Sequence, residues 1–263
     1  MNLTASLIVK NERFRYLPEC IQHLRAFCDR IVVLDDGSTD GTSAWLEGEA
    51  GEQLVVQRVD STEGFFAGHE GRKRQHLLDL TLNHHPDWVL NIDADEFIAD
   101  GQAVRDYCEN SGRLVGTLDM WEVWKVDVER LRIRMDGGWR PHAVPCMWTA
   151  QLSGMRGRRL QIKNVALACG REPEIVRRYV ARSRPTGTQI LHFGWANESL
   201  RRPRYERYVE ADGGKYHRNS HLESIMFPDI DVTMEDWPWP EALADVKDMI
   251  IAQSNTDYSG SYA

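Results

Sequence analysis

The sequence has no long hydrophobic run. No apolar stretch approaches the roughly 18 residues that a membrane-spanning helix needs. The first residues, MNLTASLIVKNERF, also lack a basic region followed by a long apolar segment, which is the pattern of a secretory signal peptide. These absences predict a cytoplasmic protein without a transmembrane segment.

The sequence also lacks paired cysteines. Its five cysteines form an odd number, and no two of them have the CxxC spacing: Cys20, Cys28, Cys108, Cys146 and Cys169. This pattern argues against a disulfide framework and against a zinc knuckle. We expect reduced thiols, as in other cytosolic proteins.

The sequence also has no excess of basic residues over acidic ones. The net charge is −8, from 32 basic and 40 acidic residues, which argues against generic nucleic-acid binding. The distribution is uneven, because residues 130–207 contain 17 Lys and Arg against 5 Asp and Glu. This segment either faces something anionic or carries arginines that pair with acidic residues elsewhere, and the two interpretations are equally supported.

The first hundred residues contain a regular alternation of two patterns. ASLIVK, RIVVLD, QLVVQRV and WVLNID are short apolar segments of the kind that form buried strands. Between the first two, Leu17, Ile21, Leu24 and Cys28 are spaced like one face of a helix. Strands alternating with helices predict an α/β fold with a mixed, mainly parallel sheet flanked by helices.

Beyond Gly112 the pattern changes to longer strands. RLVGTLDMWEVWKV and RLRIRM predict antiparallel additions to the sheet, and the chain reads as helical from Glu198. We predict one domain over residues 1–197, divided into halves at 1–111 and 112–197. A C-terminal helical extension at 198–263 is expected to pack on the same domain.

Polar clusters follow three of the predicted strands. In an open α/β sheet, ligands bind at the carboxyl ends of the strands. The clusters are Lys10-Asn11-Glu12, Asp35-Asp36 and Asp93-Ala94-Asp95. The first two are placed to hold a nucleotide base and ribose.

The third cluster predicts a metal site. In an extended segment, alternation places Asp93 and Asp95 on the same side. Two carboxylates crowded together repel unless one takes up a proton or a cation joins them. Mg²⁺ and Mn²⁺ prefer carboxylate and phosphate oxygens, and they leave positions open for a substrate diphosphate.

Four segments of the first hundred residues carry a family resemblance. SLIVKNE, YLPECIQHL, IVVLDDGSTDGT and DWVLNIDADEF resemble, in order and spacing, a family 2 glycosyltransferase of the GT-A (Rossmann-like) fold. More weakly, DGGWRPHAVPCMW and LHFGWANESLRRPRYERY resemble the branch with lipopolysaccharide-core glucosyltransferases. The resemblance implies inverting transfer from a nucleotide-diphospho-sugar, with Mn²⁺ or Mg²⁺ held by the DxD motif.

The same resemblance assigns roles along the chain. Residues 1–111 would bind the nucleotide-sugar, a UDP-sugar being the first choice, and 112–197 a glycan, lipid-linked or other acceptor. The implied nucleotide contacts are Val9, Glu12, Asp35, Asp36, Arg74, Asp93 and Ala94. The implied metal ligands are Asp95, Asp93 and His192.

An inverting transfer needs a general base to take the acceptor's proton. Asp136 is the preferred candidate, because the adjacent Gly137-Gly138 allows a tight loop. Glu122 and Asp119 are the other candidates. His142 stands where the resemblance leads us to expect an acidic residue, which weakens the assignment.

Other protein classes fit less well. A haloacid-dehalogenase phosphatase needs Thr or Val, and a calcium loop needs an oxygen ligand, where this chain has Phe97. A nucleotidyltransferase usually has an early glycine-rich loop, which SLIVKNERF does not provide. A catalytically inactive GT-A-like domain that binds a nucleotide-sugar or serves as a scaffold is the main alternative.

Overall fold

The first hundred residues form the four parallel strands that the alternation predicts. The computed structural model describes residues 1–60, 70–153, 179–180, 183–212, 223–227 and 229–258. The first strands are β1 (Leu3–Val9), β2 (Arg30–Asp35), β3 (Leu54–Arg58) and β4 (Trp88–Asn91). They pair in parallel in the order β4-β1-β2-β3, so their carboxyl ends share one edge.

Helices connect these strands. They are α1 (Leu17–Arg25), α2 (Thr42–Glu49), α3 (Glu70–Leu82) and, after the fourth strand, α4 (Gly101–Asn110). Helix α1 buries Leu17, Ile21 and Leu24, the face that the spacing predicts. The Asp100 carboxylate caps α4 by accepting from the amide of Ala103 at 3.0 Å, which satisfies a free donor at the helix start.

The second half of the sheet is largely antiparallel. Strand β8 (His142–Thr149) pairs antiparallel with both β4 and β6 (Val115–Val126), and β7 (Arg130–Arg134) pairs antiparallel with β6. The strand order is β10-β7-β6-β8-β4-β1-β2-β3, where β10 is Met234–Pro238. The mixed sheet flanked by helices confirms the predicted fold class.

Two further pairings bring distant strand ends together. Strand β5 (Glu96–Ile98) pairs antiparallel with β9 (Arg184–His192), and β9 pairs in parallel with β6. His192, the last residue of β9, lies opposite Glu96 in one ladder and opposite Glu122 in the other. The register thereby places residues from three separate parts of the sequence beside one another.

The C-terminal part is not purely helical, which corrects the predicted helical extension. Helices α6 (Glu198–Asp212) and α7 (Lys247–Asn255) are present, but β10 lies between them and pairs antiparallel with β7. Asp236 on β10 accepts hydrogen bonds from Arg130 and Arg132 on β7, at 2.6 and 3.2 Å. Because these partners are cross-strand and far apart in sequence, local periodicity could not reveal the strand.

The remaining helical segments are short. Helix α5 (Ala150–Ser153) follows β8, and 3₁₀ turns occupy residues 137–139, 224–226, 229–231 and 241–243. Within the described ranges, no helix is both long and apolar enough to cross a membrane.

Candidate active site

The carboxylate of Asp35 organises the loop after β2. Asp35 is fully buried, and its Oδ1 accepts from the amide and hydroxyl of Ser38 at 3.0 and 2.5 Å. Its Oδ2 accepts from the hydroxyl of Ser43 at the start of α2. Both oxygens therefore accept hydrogen bonds within the protein, and Asp35 shapes the loop.

Asp36 differs from its neighbour. It is also fully buried, and Oδ2 accepts from the ammonium of Lys73 on α3 at 2.6 Å, with Lys10 at 3.9 Å. Oδ1 is buried without a hydrogen-bond partner among the described residues. A buried carboxylate oxygen without a donor is unfavourable, so Asp36 is suited to accept from a bound ligand.

Other predicted nucleotide contacts lie along the same edge. The carbonyl of Val9 accepts from the amide of Asp36 at 2.8 Å, and Glu12 forms an ion pair with Arg15 at 2.9 Å. Arg74 on α3 is buried, and its guanidinium donates to Asn91 at the end of β4 at 3.4 Å. These residues frame the carboxyl edge of the sheet.

The Asp93-Ala94-Asp95 segment forms a turn between β4 and β5. Strand β4 ends at Asn91, so the predicted extension of the strand through Asp93 is wrong, and strand alternation does not relate Asp93 to Asp95. The amide of Asp93 donates to Glu96 Oε2 at 2.9 Å, and the carbonyl of Asp93 accepts from the amide of Glu96 at 3.2 Å. Ala94 is buried in the turn.

Asp95 meets two cationic side chains from later in the chain. Its Oδ2 accepts from the guanidinium of Arg204 on α6 at 2.9 Å. Its Oδ1 lies 3.6 Å from His192 Nε2, at the end of β9. On the other side of the ring, His192 Nδ1 lies 2.5 Å from Glu122 Oε2 on β6. The four side chains form one continuous polar network.

The charges of this network favour the ionised forms of Asp95 and His192. Burial alone would raise the pKa of Asp95, but His192 and Arg204 hold that pKa well below its usual value. Burial alone would lower the pKa of His192, but the carboxylates of Glu122 and Asp95 outweigh it and raise that pKa well above its usual value.

Gly194 leaves room for the network. A Cβ atom at this position would lie 2.5 Å from Arg204 Nη1 and from His192 Nε2, and 2.9 Å from Asp95 Oδ2. No real Cβ atom approaches polar atoms so closely, so only glycine fits without displacing them. The missing side chain creates a small polar cradle between the three residues.

The donor atoms of this cradle fit a divalent cation with open positions. Asp95 Oδ1 and His192 Nε2, 3.6 Å apart, can both reach an ion whose bonds are about 2.1 Å long. Among the described residues, no group of three or more His, Cys, Asp or Glu could hold a metal, so Asp93 does not complete a third ligand. Two protein ligands suit Mg²⁺ or Mn²⁺, which commonly complete their shell with water and substrate phosphate.

Residues 5–106 match the sequence model of the family described as glycosyl transferase family 2. Through this segment, the chain resembles the family 2 glycosyltransferases. The segment contains β1 to β4 and the Asp93–Asp95 turn. It therefore covers the Asp36 side of the site and one of the two proposed metal ligands.

Curated relatives agree with this family. Over 94 residues, the chain is 34% identical to an uncharacterised glycosyltransferase of Rickettsia felis, covering 36% of this chain and 29% of the relative. It is 34% identical over 94 residues to the lipopolysaccharide core biosynthesis glycosyltransferase LpsC of Rhizobium meliloti, covering 36% of this chain and 32% of the relative. The match spans less than a third of these relatives' length.

A solved structure shares the fold of this chain over most of its length. The crystal structure of residues 1–349 of TarS from S. aureus superposes with a TM-score of 0.53 at 14% identity. The superposition covers 86% of this chain and 69% of the TarS chain. At this identity the comparison shows the GT-A fold and nothing finer.

The preferred general base, Asp136, is engaged elsewhere. Both of its oxygens accept from the guanidinium of Arg134 at 2.8 Å, and Oδ1 also accepts from the amide of Thr233 at 3.2 Å. The hydrogen bonds from Arg134 lower the pKa of Asp136, which makes it a weaker base. The structure contradicts the prediction that the glycines after Asp136 aim it into the cleft.

The other two candidates are also misplaced for proton abstraction. The carboxylate of Glu122 is occupied by His192. Residues 119–122 of β6 pair one to one with 189–192 of β9, so alternation puts Asp119 on the face opposite to Glu122. Asp119 is exposed there. None of the three predicted bases is therefore placed to act at the Asp95 network.

The described arginines of the basic segment are mostly paired within the protein. Arg140 donates to the carbonyl of Met135. The ion pairs are Arg130 and Arg132 with Asp236, Arg134 with Asp136, Arg201 with Asp229, Arg202 with Glu206, and Arg204 with Asp95. These contacts favour the interpretation that the arginines pair with acidic residues of the protein over the interpretation that they face an anionic acceptor. Residues 154–178, which carry much of the basic excess, lie outside the described ranges, as does Cys169.

Three contributors to the site are not predicted from the sequence. Lys73 lies in the basic run RKR at the start of α3, which indicates a cation near the nucleotide. The family resemblance assigns that contact to the neighbouring Arg74 instead. Arg204 lies 109 residues from Asp95 and has no local signal. Gly194 follows the predicted His192 by two residues, and only the packing shows why it is glycine.

Proposed function

We propose that this chain transfers a sugar from a nucleotide-diphospho-sugar to an acceptor, with Mn²⁺ or Mg²⁺ bound by Asp95 and His192. The observation that carries the proposal is the pair of donor atoms, Asp95 Oδ1 and His192 Nε2, 3.6 Å apart in a family 2 glycosyltransferase domain. When bound, the cation neutralises charge that develops on the departing diphosphate.

Asp36 is the proposed anchor for the nucleotide. Its buried Oδ1 accepts a hydrogen bond from a base N–H, while Lys73 keeps Oδ2 engaged at 2.6 Å. Uracil, thymine and guanine carry a ring N–H that can reach such an acceptor, whereas cytosine offers only its exocyclic amino group. We therefore expect UDP, dTDP and GDP carriers to be favoured over CDP, with UDP-sugar as the first choice.

Arg204 has a proposed electrostatic role beside the cation. Its guanidinium lies 2.9 Å from Asp95 Oδ2 and is largely buried. The guanidinium adds a fixed positive charge next to the position proposed for the diphosphate, in a site shielded from solvent. The side chain thereby supports departure of the leaving group without itself taking or giving a proton.

The acceptor is proposed to be a glycan or a lipid-linked glycan bound by residues 112–197. The name of the Rhizobium meliloti relative refers to lipopolysaccharide core biosynthesis, which supports this class. Following the family resemblance, we propose that the transfer inverts the anomeric configuration. An NMR spectrum of the anomeric proton of the transferred sugar, compared with that of the donor, tests that point.

A thermal-shift panel tests the donor site. The full chain is heated with UDP, GDP, CDP or dTDP, each with Mn²⁺ or with EDTA. A ligand at about a hundred times its Kd, binding only the folded state, adds about 2.7 kcal/mol of stability, which gives a clear rise in Tm. We expect a rise with one diphosphate that disappears with EDTA and in Asp95→Ala. No rise with any of the four contradicts the proposal.

One observation supports an inactive binding domain as the second candidate. Arg204 and His192 already neutralise Asp95 without any added ion. In that case, nucleotide binding would be insensitive to EDTA and no donor hydrolysis would occur. The same panel, followed by a hydrolysis assay with the sugar form of the stabilising nucleotide, separates the two functions.

A further inference from the structure

We infer that Glu122 is a positioning residue that holds the imidazole of His192 in the orientation and tautomer required to bind the metal ion. The inference rests on the proposed function, because it concerns the cation proposed at Asp95 and His192. It replaces the expectation from the sequence that Glu122 acts as a general base.

The ring of His192 has a carboxylate at each nitrogen. Nδ1 lies 2.5 Å from Glu122 Oε2, and Nε2 lies 3.6 Å from Asp95 Oδ1. A neutral imidazole carries one N–H, and its other nitrogen has a lone pair that a metal can accept. The shorter contact keeps a proton on Nδ1, so Nε2, on the side of Asp95, is the nitrogen that would release its proton to bind the metal ion.

The backbone keeps Glu122 and His192 in this relation. The two residues are opposite each other in the parallel ladder between β6 and β9, and β5 pairs with the other edge of β9. Their side chains are only 9% and 15% exposed, so water competes little for the contact. The ring is therefore restrained on both sides before any ion binds.

The effect of such a restraint on metal affinity has a known size. A carboxylate that accepts from the second nitrogen of a metal-binding histidine typically contributes a 10–100-fold gain in affinity. Asp119 provides the matched control, because it lies three residues earlier on the same strand, on the opposite face and exposed.

The experiment measures Mn²⁺ binding to the full chain by EPR of the free ion. The variants are Glu122→Ala, Glu122→Gln, His192→Ala and Asp119→Ala, each checked for folding by circular dichroism. We expect Glu122→Ala to weaken binding by about 10–100-fold. Glu122→Gln keeps an oxygen acceptor for Nδ1–H and should weaken binding less, and Asp119→Ala should bind like the wild type.

Pulsed EPR adds a readout that a purely structural role would not change. The wild type should show coupling of Mn²⁺ to an imidazole nitrogen, which is absent in His192→Ala and reduced in Glu122→Ala. Binding in Glu122→Ala within twofold of the wild type, together with weak binding in His192→Ala, would overturn the inference alone. Absence of Mn²⁺ binding in the wild type, or full binding in His192→Ala, would overturn the proposed metal site, and the inference with it.

Discussion

Replacing Asp136 with asparagine separates a structural role from a catalytic one. The guanidinium of Arg134 is fully buried, stacks on Trp124 with its Cζ 4.3 Å from the ring centroid, and donates two 2.8 Å hydrogen bonds to Asp136. Asparagine has nearly the same shape, so the substitution removes the counter-charge while it leaves the packing of the loop unchanged.

The magnitude follows from what Arg134 loses. The asparagine side chain in Asp136→Asn would keep one oxygen acceptor but turn an NH₂ group toward one guanidinium nitrogen, which removes a charge-assisted bond worth about 1.5–3 kcal/mol. Breaking a fully buried pair usually costs about 3–5 kcal/mol. Because the Asp136 side chain is 31% exposed, solvent moderates the loss, and we expect about 2–4 kcal/mol in the free energy of unfolding.

Urea unfolding of Asp136→Asn and Asp119→Asn, side by side, measures this loss. The Asp119 variant should stay within about 0.5 kcal/mol of the wild type, because its carboxylate is exposed and remote from the buried pair. The Tm increase caused by nucleotide and Mn²⁺ should be the same in both variants. Unchanged stability in Asp136→Asn, combined with complete loss of sugar transfer, would refute the structural interpretation and restore Asp136 as the base.

Three further predictions test the packing around the site. Gly194→Ala should weaken Mn²⁺ binding by at least tenfold in an EPR titration and reduce stability by about 1–3 kcal/mol, because the new Cβ overlaps the three polar side chains of the cradle. Wild-type affinity in that variant would contradict the cradle. Burial lowers the pKa of His23 to about 4, so between pH 6.5 and 4 this side chain is protonated in the unfolded chain but neutral in the folded chain. The free energy of unfolding should therefore fall by about 3 kcal/mol from pH 6.5 to 4 because of His23. Urea unfolding across that range should show this contribution in the wild type and not in His23→Gln. An equal fall in both proteins would argue against a role for His23. Arg201→Ala should lose about 3–5 kcal/mol, because Arg201 is buried and donates to two carbonyls and a carboxylate, whereas the exposed Arg202→Ala should change little. Equal unfolding midpoints for these two variants would disprove the difference.

The parts of the fold that depend on local pattern were predictable from the sequence. Strands β1 to β4 are short runs of buried apolar residues, and α1 shows its buried face in the spacing of Leu17, Ile21 and Leu24. Once those elements are parallel, the rule that strand ends share an edge brings Asp36 and Asp95 to the same side of the sheet. Each of these features depends on residues that are close together in the sequence.

The partners of the site could not be predicted in the same way. Glu122 and His192 are 70 residues apart, and Asp95 and Arg204 are 109 residues apart, so only the register of β6 and β9 and the placement of α6 join them. The glycines after Asp136 suggest a loop that can direct the carboxylate into the cleft, but Arg134 holds the carboxylate in place. Arg134, two residues earlier, is the available signal, since alternation along an extended segment puts the two side chains on the same side.

The turn after β4 explains how the protein tolerates three acidic residues in a row of four. The carboxylate of Glu96 accepts a hydrogen bond from the amide of Asp93 at 2.9 Å, so the backbone stabilises its charge. Asp95 faces both cations, His192 and Arg204. With the proposed metal ion on Asp95 and His192, the guanidinium of Arg204 would remain beside Asp95 as a fixed positive charge for the proposed diphosphate leaving group. Asp95, and not Asp93, is therefore the residue on which metal binding should depend most, and Asp93→Ala should weaken Mn²⁺ binding less than Asp95→Ala in the same titration. The opposite order would mean that the turn rearranges when the ion binds.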